Sequence, residues 1–137
     1  DLKEFQPQVL ILTNTQEIEQ IEVLVTALPH FQFHIAALTE MGERLVRLND
    51  YPNVHLYPGI SGENYERLLN KCRIYLDIAY ADEILDGNRM ALERGMILYA
   101  FEETCHRPDL YIKDKQKMHP MLATKEELKM IFRMSEK

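Results

Sequence analysis

Segments rich in apolar residues recur along the chain, and between them the apolar positions change to a helical spacing. The segments are short, and most of them are continuous rather than alternating in hydrophobicity. Such runs are typical of strands that are buried on both faces of a parallel sheet. We therefore predict five strands over 9–12, 31–37, 54–57, 74–79 and 96–101, with a short edge strand over 110–112.

The first predicted helix follows directly on the first strand. Asn14 and Glu17 have the spacing of an N-cap and its reciprocal acid, and Pro29 ends the helical pattern. The other predictions are a weak helix or structured loop over 39–49, a helix capped by Ser61, a helix over 83–94 that ends at a left-handed Gly95, and a terminal helix that begins at the capping box 124–127.

Alternating strands and helices imply an α/β fold, a Rossmann-like parallel sheet with helices on both faces and right-handed crossovers. The expected strand order is 3-2-1-4-5, in which the first and fourth strands are neighbours. Their following helices leave to opposite faces of the sheet, so a crevice opens at the C-terminal ends of these two strands. The sequence therefore predicts a ligand site between the loops 13–15 and 80–83.

The domain is expected over residues 8–137, because residues 1–7 are polar and end in Pro7, as in a linker. A length of 137 residues with 46% hydrophobic content fits one compact domain with a substantial core. The chain begins at Asp1 rather than at Met, so we expect it to be part of a longer protein.

Charge and cysteine content narrow the function classes. Sixteen basic against 22 acidic side chains give a net charge of −6, which argues against nucleic acid and anionic membranes as partners. No apolar run reaches the roughly 18 residues of a transmembrane segment. Two cysteines, Cys72 and Cys105, are too few for a disulfide framework and indicate a reducing compartment. We expect a cytoplasmic protein.

An acidic cluster is the most suggestive group of polar residues, and it consists of Asp77, Asp82, Glu83 and Asp86. Carboxylates at this place can bind sugar hydroxyls or stabilise a positive transition state. Acids at a helix N-terminus also complement the helix dipole with no further role. Arg89 has two interpretations as well: it binds a phosphate, or it pairs with Asp86 at i, i+3, which we favour.

The loop after the first strand lacks the glycine-rich patterns that bind phosphates. Asn14 and Thr15 offer an amide, a hydroxyl and backbone N–H groups that can hold an anion, although plain capping explains them as well. The five histidines show no metal-ligand spacing, and Cys105-His106 is interpreted as a surface loop without a nucleophile. The crevice candidates are therefore Asn14, Thr15, Asp82, Glu83, Asp86 and Arg89, and no catalytic residue, metal or cofactor is predicted.

Three segments go further than the single motifs: FHIAA at 33–37, YPNVHLYP at 51–58 and the helix-strand segment YERLLNKCRIYLD at 65–77. Their order and content resemble the C-terminal domain of retaining GT-B glycosyltransferases, and the resemblance extends from about residue 8 to the end of the chain. It implies that the chain is the C-terminal half of a two-domain protein, with its own N-terminal GT-B half as a partner.

Catalytic members of that family carry an acidic E-x7-E helix that contacts a nucleotide-sugar donor. Matched backwards from Gly95, the two glutamates fall at Asp82 and Met90, so the second acid is replaced. The glycine-rich turn of the family is replaced by residues 83–85, and basic residues are absent from 13–19.

One branch of the family fits these departures. PQVLILTN at 7–14, EILD at 83–86 and LYAFEET at 98–104 resemble the stabilising (co-activator) subunit of the two-component accessory Sec glycosyltransferase of Gram-positive bacteria. The resemblance implies a catalytic glycosyltransferase subunit as partner, a Ser/Thr-rich acceptor polypeptide, and support of O-glycosylation with N-acetylglucosamine without catalysis by this chain. It also allows a peripheral location at the inner face of the cell membrane.

Three functions therefore remain to be separated. The leading one is a non-catalytic co-activator domain for glycosylation of Ser-rich repeat adhesins. The alternative is the donor-binding half of a catalytic retaining GT-B glycosyltransferase, which would hold a UDP-sugar through Asp82, Glu83 and Arg89. A free-standing ligand-binding or regulatory module on the same fold is the third, since a fold does not determine a function.

Overall fold

The computed structural model describes residues 6–112 and 120–122. Within them, one fully parallel sheet has the strand order β3-β2-β1-β4-β5-β6. The order predicted for the first five strands is confirmed, and a sixth strand is added beyond β5. The strands are β1 (Gln8–Thr13), β2 (Gln32–Ala37), β3 (Val54–Tyr57), β4 (Ile74–Asp77), β5 (Ile97–Ala100) and β6 (Pro120–Leu122).

Helices cover both faces of the sheet, as expected from the alternating pattern. Strand β1 is central, and its Val9, Leu10 and Ile11 have no exposed surface. Val9 and Ile11 pack in one apolar cluster with α1, whereas Leu10 packs in a second cluster with α3 and α4. The helices are α1 (Ile21–Ala27), α2 (Glu43–Val46) with a following 3-10 turn (Arg47–Asp50), α3 (Gly62–Lys71), α4 (Gly87–Glu93) and α5 (Pro108–Ile112).

Local capping chemistry explains where two of the helices begin and end. The Ser61 hydroxyl accepts a hydrogen bond from the backbone N–H of Asn64 at 3.2 Å, which confirms the predicted N-cap of α3. Gly95 follows α4 in the left-handed conformation, with φ at 75°, as the sequence predicted.

The start of α1 differs from the prediction. Asn14 does not cap it, because residues 14–20 form an irregular segment and the helix begins at Ile21. Gln20, directly before the helix, has a left-handed φ of 58°. Ile18 is instead held in an antiparallel bridge with Ala79, so tertiary pairing overrides the capping pattern.

The helix predicted over 83–94 is also shorter than expected. Leu85 and Asp86 have positive φ values of 56° and 51°, which no helix accommodates, so α4 begins at Gly87. A Cβ atom at Gly87 would collide with the Tyr75 hydroxyl and a methyl group of Leu12, because the helix start lies directly on the sheet. Glycine is therefore required at this close approach.

The edge strand predicted over 110–112 is wrong, because these residues belong to α5 and the edge is formed by β6. The terminal helix predicted from 124 onward lies outside the described residues, as does most of the predicted 1–7 linker. None of the helices in the described part of the chain combines the length and apolar character that crossing a membrane requires.

Candidate functional site

The predicted crevice lies where β1 and β4 end side by side, and there the two loops pair with each other. Ile18 and Ala79 form the antiparallel bridge, the Glu19 N–H donates to the Ile78 carbonyl at 2.8 Å, and the Tyr80 N–H donates to the Glu17 carbonyl at 3.0 Å. These backbone groups satisfy one another instead of facing a ligand. We call this paired segment the crossing bridge.

The polar side chains after β1 are mostly engaged in local turns. The Thr13 hydroxyl accepts from the Thr15 N–H at 3.0 Å and donates to the Thr15 carbonyl at 2.5 Å, while the Thr15 hydroxyl accepts from the Glu17 N–H at 3.2 Å. Asn14 is exposed, and its amide makes no hydrogen bond to any described residue. The two candidates in this loop thus have different roles: Thr15 shapes the turn and Asn14 remains available.

Gln16 connects this loop to α2, a contact that the sequence did not indicate. Its Oε1 accepts from the Arg44 backbone N–H at 3.1 Å, and its side-chain amide lies where a Cβ atom of residue 42 would stand, so Gly42 is suited to this approach. An ion pair between Arg44 and Glu17 reinforces the connection.

Glu83 lies before α4 rather than inside it, and it closes the N-terminal end of that helix. Its Oε2 accepts from the backbone N–H of Asn88 at 3.1 Å and from the Asn88 side-chain amide at 2.5 Å. Asn88 is fully buried, and its Oδ1 accepts from the Tyr111 hydroxyl at 2.7 Å. Through this oxygen Glu83 therefore stabilises the start of α4 and the position of Asn88.

Asp86 and Arg89 pair as predicted, with 2.5 Å between Oδ2 and Nε. Arg89 also contacts Glu93 at 2.9 Å, and these two carboxylates raise the pKa of its guanidinium. Arg107 adds a bidentate pair with Asp109 at 2.9–3.0 Å and approaches Asp86 at 4.0 Å. Both guanidinium groups near the crevice are thus neutralised within the domain.

The two positions of the E-x7-E pattern, Asp82 and Met90, lie in different surroundings. Asp82 is exposed and forms no ion pair with any described residue. Met90, at the position of the second acid of the E-x7-E pattern, is half-buried and packs against the apolar cluster under α4. Among the described residues, no group of histidine, cysteine and acidic side chains has the arrangement of a metal site.

Residues 105–106 lie in a loop, as interpreted from the sequence, but the side chain of His106 binds Asp77 at the end of β4, a contact that the sequence did not indicate. The Nδ1 and backbone N–H of His106 lie 2.6 Å from the two Asp77 carboxylate oxygens, and Nε2 lies 2.5 Å from the Ala81 carbonyl. Both ring nitrogens face acceptors, an arrangement that favours the doubly protonated imidazolium over the neutral ring. Because His106 and Asp77 are 29 residues apart, no local sequence pattern indicates that they form a pair.

Burial opposes the charge on His106, but the hydrogen bond and negative charge of Asp77 outweigh it, and the net effect is a raised pKa. Asp77, which is 4% exposed, is therefore a buried partner of a cation rather than a free carboxylate. The neighbouring Cys105 has a pKa raised to about 11 by burial, so it remains a thiol.

Comparisons with known proteins agree with this picture of a glycosyltransferase-type domain. A relative from Limosilactobacillus reuteri subsp. suis, named UDP-N-acetylglucosamine--peptide N-acetylglucosaminyltransferase stabilizing protein GtfB, is 46% identical over 105 residues, which are 77% of this chain and 24% of the relative. A relative of the same name from Streptococcus agalactiae is 42% identical over 104 residues, or 76% of this chain and 24% of the relative. This chain spans about a quarter of the length of these curated relatives.

Solved structures match the fold over almost the entire chain. A chain in the crystal structure of a GtfA/B complex bound to UDP and GlcNAc superimposes with a TM-score of 0.80 and 34% identity, covering 96% of this chain and 29% of that chain. The crystal structure of the glycosyltransferase GlyE from Streptococcus pneumoniae TIGR4 matches with a TM-score of 0.79 and 26% identity, over 96% of this chain and 32% of that chain.

The predicted Rossmann-like fold and the predicted GT-B relationship are thereby confirmed. A family model described as the GftB/GlyA-F C-terminal domain matches residues 9–136, which is nearly the whole chain. The chain belongs to the GftB/GlyA-F C-terminal domain family.

Proposed function

We propose that this chain is the C-terminal domain of a stabilising subunit, which supports a catalytic glycosyltransferase partner in adding N-acetylglucosamine to a polypeptide. Two relatives at 42–46% identity carry the name of such a stabilising protein, and a matching structure is a two-component complex. The acceptor in this proposal is a Ser/Thr-rich adhesin polypeptide, and the reaction takes place in the cytoplasm.

The observation that carries the proposal is the state of the predicted donor crevice. A nucleotide diphosphate brings two or more negative charges, which a protein meets with free cations or free backbone N–H groups. Here the crossing bridge uses the N–H groups of Glu19 and Tyr80, and the cations Arg89 and Arg107 are each paired with carboxylates. With Met90 in place of the second acid, the domain is suited to a supporting role.

The test uses the full-length protein that contains this chain. Isothermal calorimetry with a UDP-sugar is expected to show no binding at micromolar concentrations, whereas the catalytic partner purified alongside gives a measurable heat. A pull-down of the tagged full-length protein from its own cells is expected to retain a glycosyltransferase in stoichiometric amount. Micromolar donor affinity of the protein alone, together with no retained glycosyltransferase, would overturn the proposal.

A catalytic donor-binding half is the second candidate, favoured by one observation. Asp82 is exposed and unpaired among the described residues, at the position of the first acid of the E-x7-E pattern. If it contacts a UDP-sugar, Asp82→Asn abolishes sugar transfer while Asn64→Ala, on the exposed face of α3, leaves it unchanged. Transfer at the wild-type rate in Asp82→Asn eliminates this candidate.

A further inference from the structure

The segment 80–86 joins β4 to α4, and a side chain from another element holds it near each end. Near its start, the Ala81 carbonyl oxygen lies 2.5 Å from Nε2 of His106, in the loop after β5. Near its end, the Tyr65 hydroxyl on α3 donates to the Leu85 carbonyl at 3.0 Å. Leu85 has a left-handed φ of 56°, a conformation that a bulky side chain keeps only when its surroundings impose it. We call this segment the 80–86 loop.

The two contacts that hold the 80–86 loop differ in their response to pH. Burial raises the pKa of Tyr65 to about 12, so its hydroxyl keeps its proton at neutral pH and above. His106 holds Ala81 only while Nε2 carries a hydrogen. Among residues 6–112 and 120–122, no other donor bonds to the Ala81 carbonyl oxygen. The hold on Ala81 therefore depends on one titratable group.

Loss of a proton from His106 breaks this contact and spares the other one. The neutral ring has one hydrogen for two nitrogens. Asp77 attracts it to Nδ1, 2.6 Å from the carboxylate, because a hydrogen bond to an ionised acceptor is stronger than one to a neutral carbonyl. Nε2 then presents a lone pair to the Ala81 oxygen, and two acceptors at this distance repel each other. The neutral ring thus stays bound to Asp77 and releases Ala81.

The charges around the ring place its titration in the neutral range. Negative charge on the surrounding elements stabilises the cation and raises the pKa of His106 above its ordinary value of 6.5. The charged side chains on these elements are Asp77 on β4, Glu83 in the 80–86 loop, Glu19 in the crossing bridge, and the pair of Arg107 and Asp109. The neutral titratable groups are Cys105 and the buried Tyr75 and Tyr111, whose pKa values are all raised by burial.

We propose that His106 is a pH-dependent switch for the 80–86 loop: the charged ring holds the loop at Ala81, and the neutral ring releases it. The Leu85 end stays bound to Tyr65 in both states, so the freedom gained is confined to the part of the loop that carries the exposed Asp82. That part borders the predicted crevice. The switch concerns the loop itself and operates whether or not the crevice holds a ligand.

The experiment measures the mobility of the loop in the full-length protein that contains this chain. A nitroxide spin label is attached to Asp82→Cys, and its electron paramagnetic resonance spectrum is recorded at several pH values between 6 and 9. The signal from native cysteines is subtracted with the labelled protein that lacks this substitution. The mobile component is expected to grow with pH along a single titration curve, in which the ratio of released to held loop changes about tenfold per pH unit.

The control label is attached to Asn64→Cys, on the exposed face of α3, and its spectrum is expected to stay the same over this pH range. In His106→Gln the mobility at position 82 is expected to be independent of pH, because glutamine does not titrate. Asp77→Asn keeps the imidazole and removes its carboxylate partner, so the transition is expected at a lower pH.

The wild-type protein alone is enough to decide against the switch. A label at position 82 whose mobility is constant between pH 6 and 9 overturns the proposal. An equal rise in His106→Gln, or a midpoint that is unchanged in Asp77→Asn, also overturns it, since another group would then control the loop. The two variants provide separate checks, so one of them suffices if the other does not fold.

Discussion

The charged contact between His106 and Asp77 makes stability depend on pH in a defined direction. Because the pKa of His106 is raised on folding, its contribution to the free energy of unfolding is fully present below its unfolded pKa of about 6.5. The contribution is lost as the pH rises through the folded pKa, which lies above that value. We expect His106→Gln to destabilise the protein at pH 6 and to have a much smaller effect at pH 9.

The size of the effect follows from the geometry. Removing one partner of a buried ion pair costs about 3–5 kcal/mol, because the remaining charge stays buried and unpaired. His106 keeps 20% of its side chain exposed and Asp77 retains a backbone N–H partner, which favours the lower end, about 3 kcal/mol at pH 6.

Urea denaturation of the wild-type protein and His106→Gln at several pH values between 6 and 9 measures this difference. His55→Gln is the matched control, since the pKa of His55 is lowered by burial and by Lys71, and its stability contribution changes in the opposite direction. A difference between wild type and His106→Gln that is the same at pH 6 and pH 9 would refute an imidazolium at this position.

Three further predictions concern core packing at Gly87, stability at acid pH and the N-cap of α3. Gly87→Ala is expected to lower the free energy of unfolding by about 2 kcal/mol in the same urea denaturation assay, because its Cβ would collide with Tyr75 and Leu12. Gly62→Ala is the control and is expected to be near neutral, because the space around Gly62 is open. The free energy of unfolding is expected to fall as the pH decreases from about 6.5 toward 4, because burial lowers the pKa of His34 to about 4 and the unfolded chain therefore takes up the proton first. In His34→Gln this part of the pH profile is expected to be flatter, and an unchanged profile would contradict the role of His34. Ser61→Ala is expected to cost about 1 kcal/mol, measured by thermal unfolding, and Ser61→Asp to restore it; equal melting temperatures for all three would contradict the N-cap.

The sheet order was predictable because it depends on apolar runs that are local in the sequence. Strand β1 is the clearest case: its continuous apolar residues allow only a position that is covered on both faces. The pair of Asp86 and Arg89 was predictable for the same reason, since i, i+3 spacing on a helix is a local relationship.

The candidate site was less predictable because its decisive contacts join distant residues. Asn14 has every local property of an N-cap, yet the pairing of Ile18 with Ala79 removes it from the helix. His106 is a loop residue, and nothing local indicates that its side chain binds Asp77 at the end of β4. No sequence pattern indicated that Gln16 contacts α2. The side chain of Gln16 lies so close to Gly42 that this contact explains the glycine at position 42.

The central place of β1 in the sheet has a consequence for how the chain is made. β1 pairs on one side with β2, which follows closely in sequence, and on the other with β4, which begins only at Ile74. During synthesis the strands β3, β2 and β1 can therefore assemble first, with one backbone edge of the most apolar strand still open. Such an open edge invites pairing with another chain. The interval before residue 74 emerges is then the period in which the nascent domain most needs protection from aggregation.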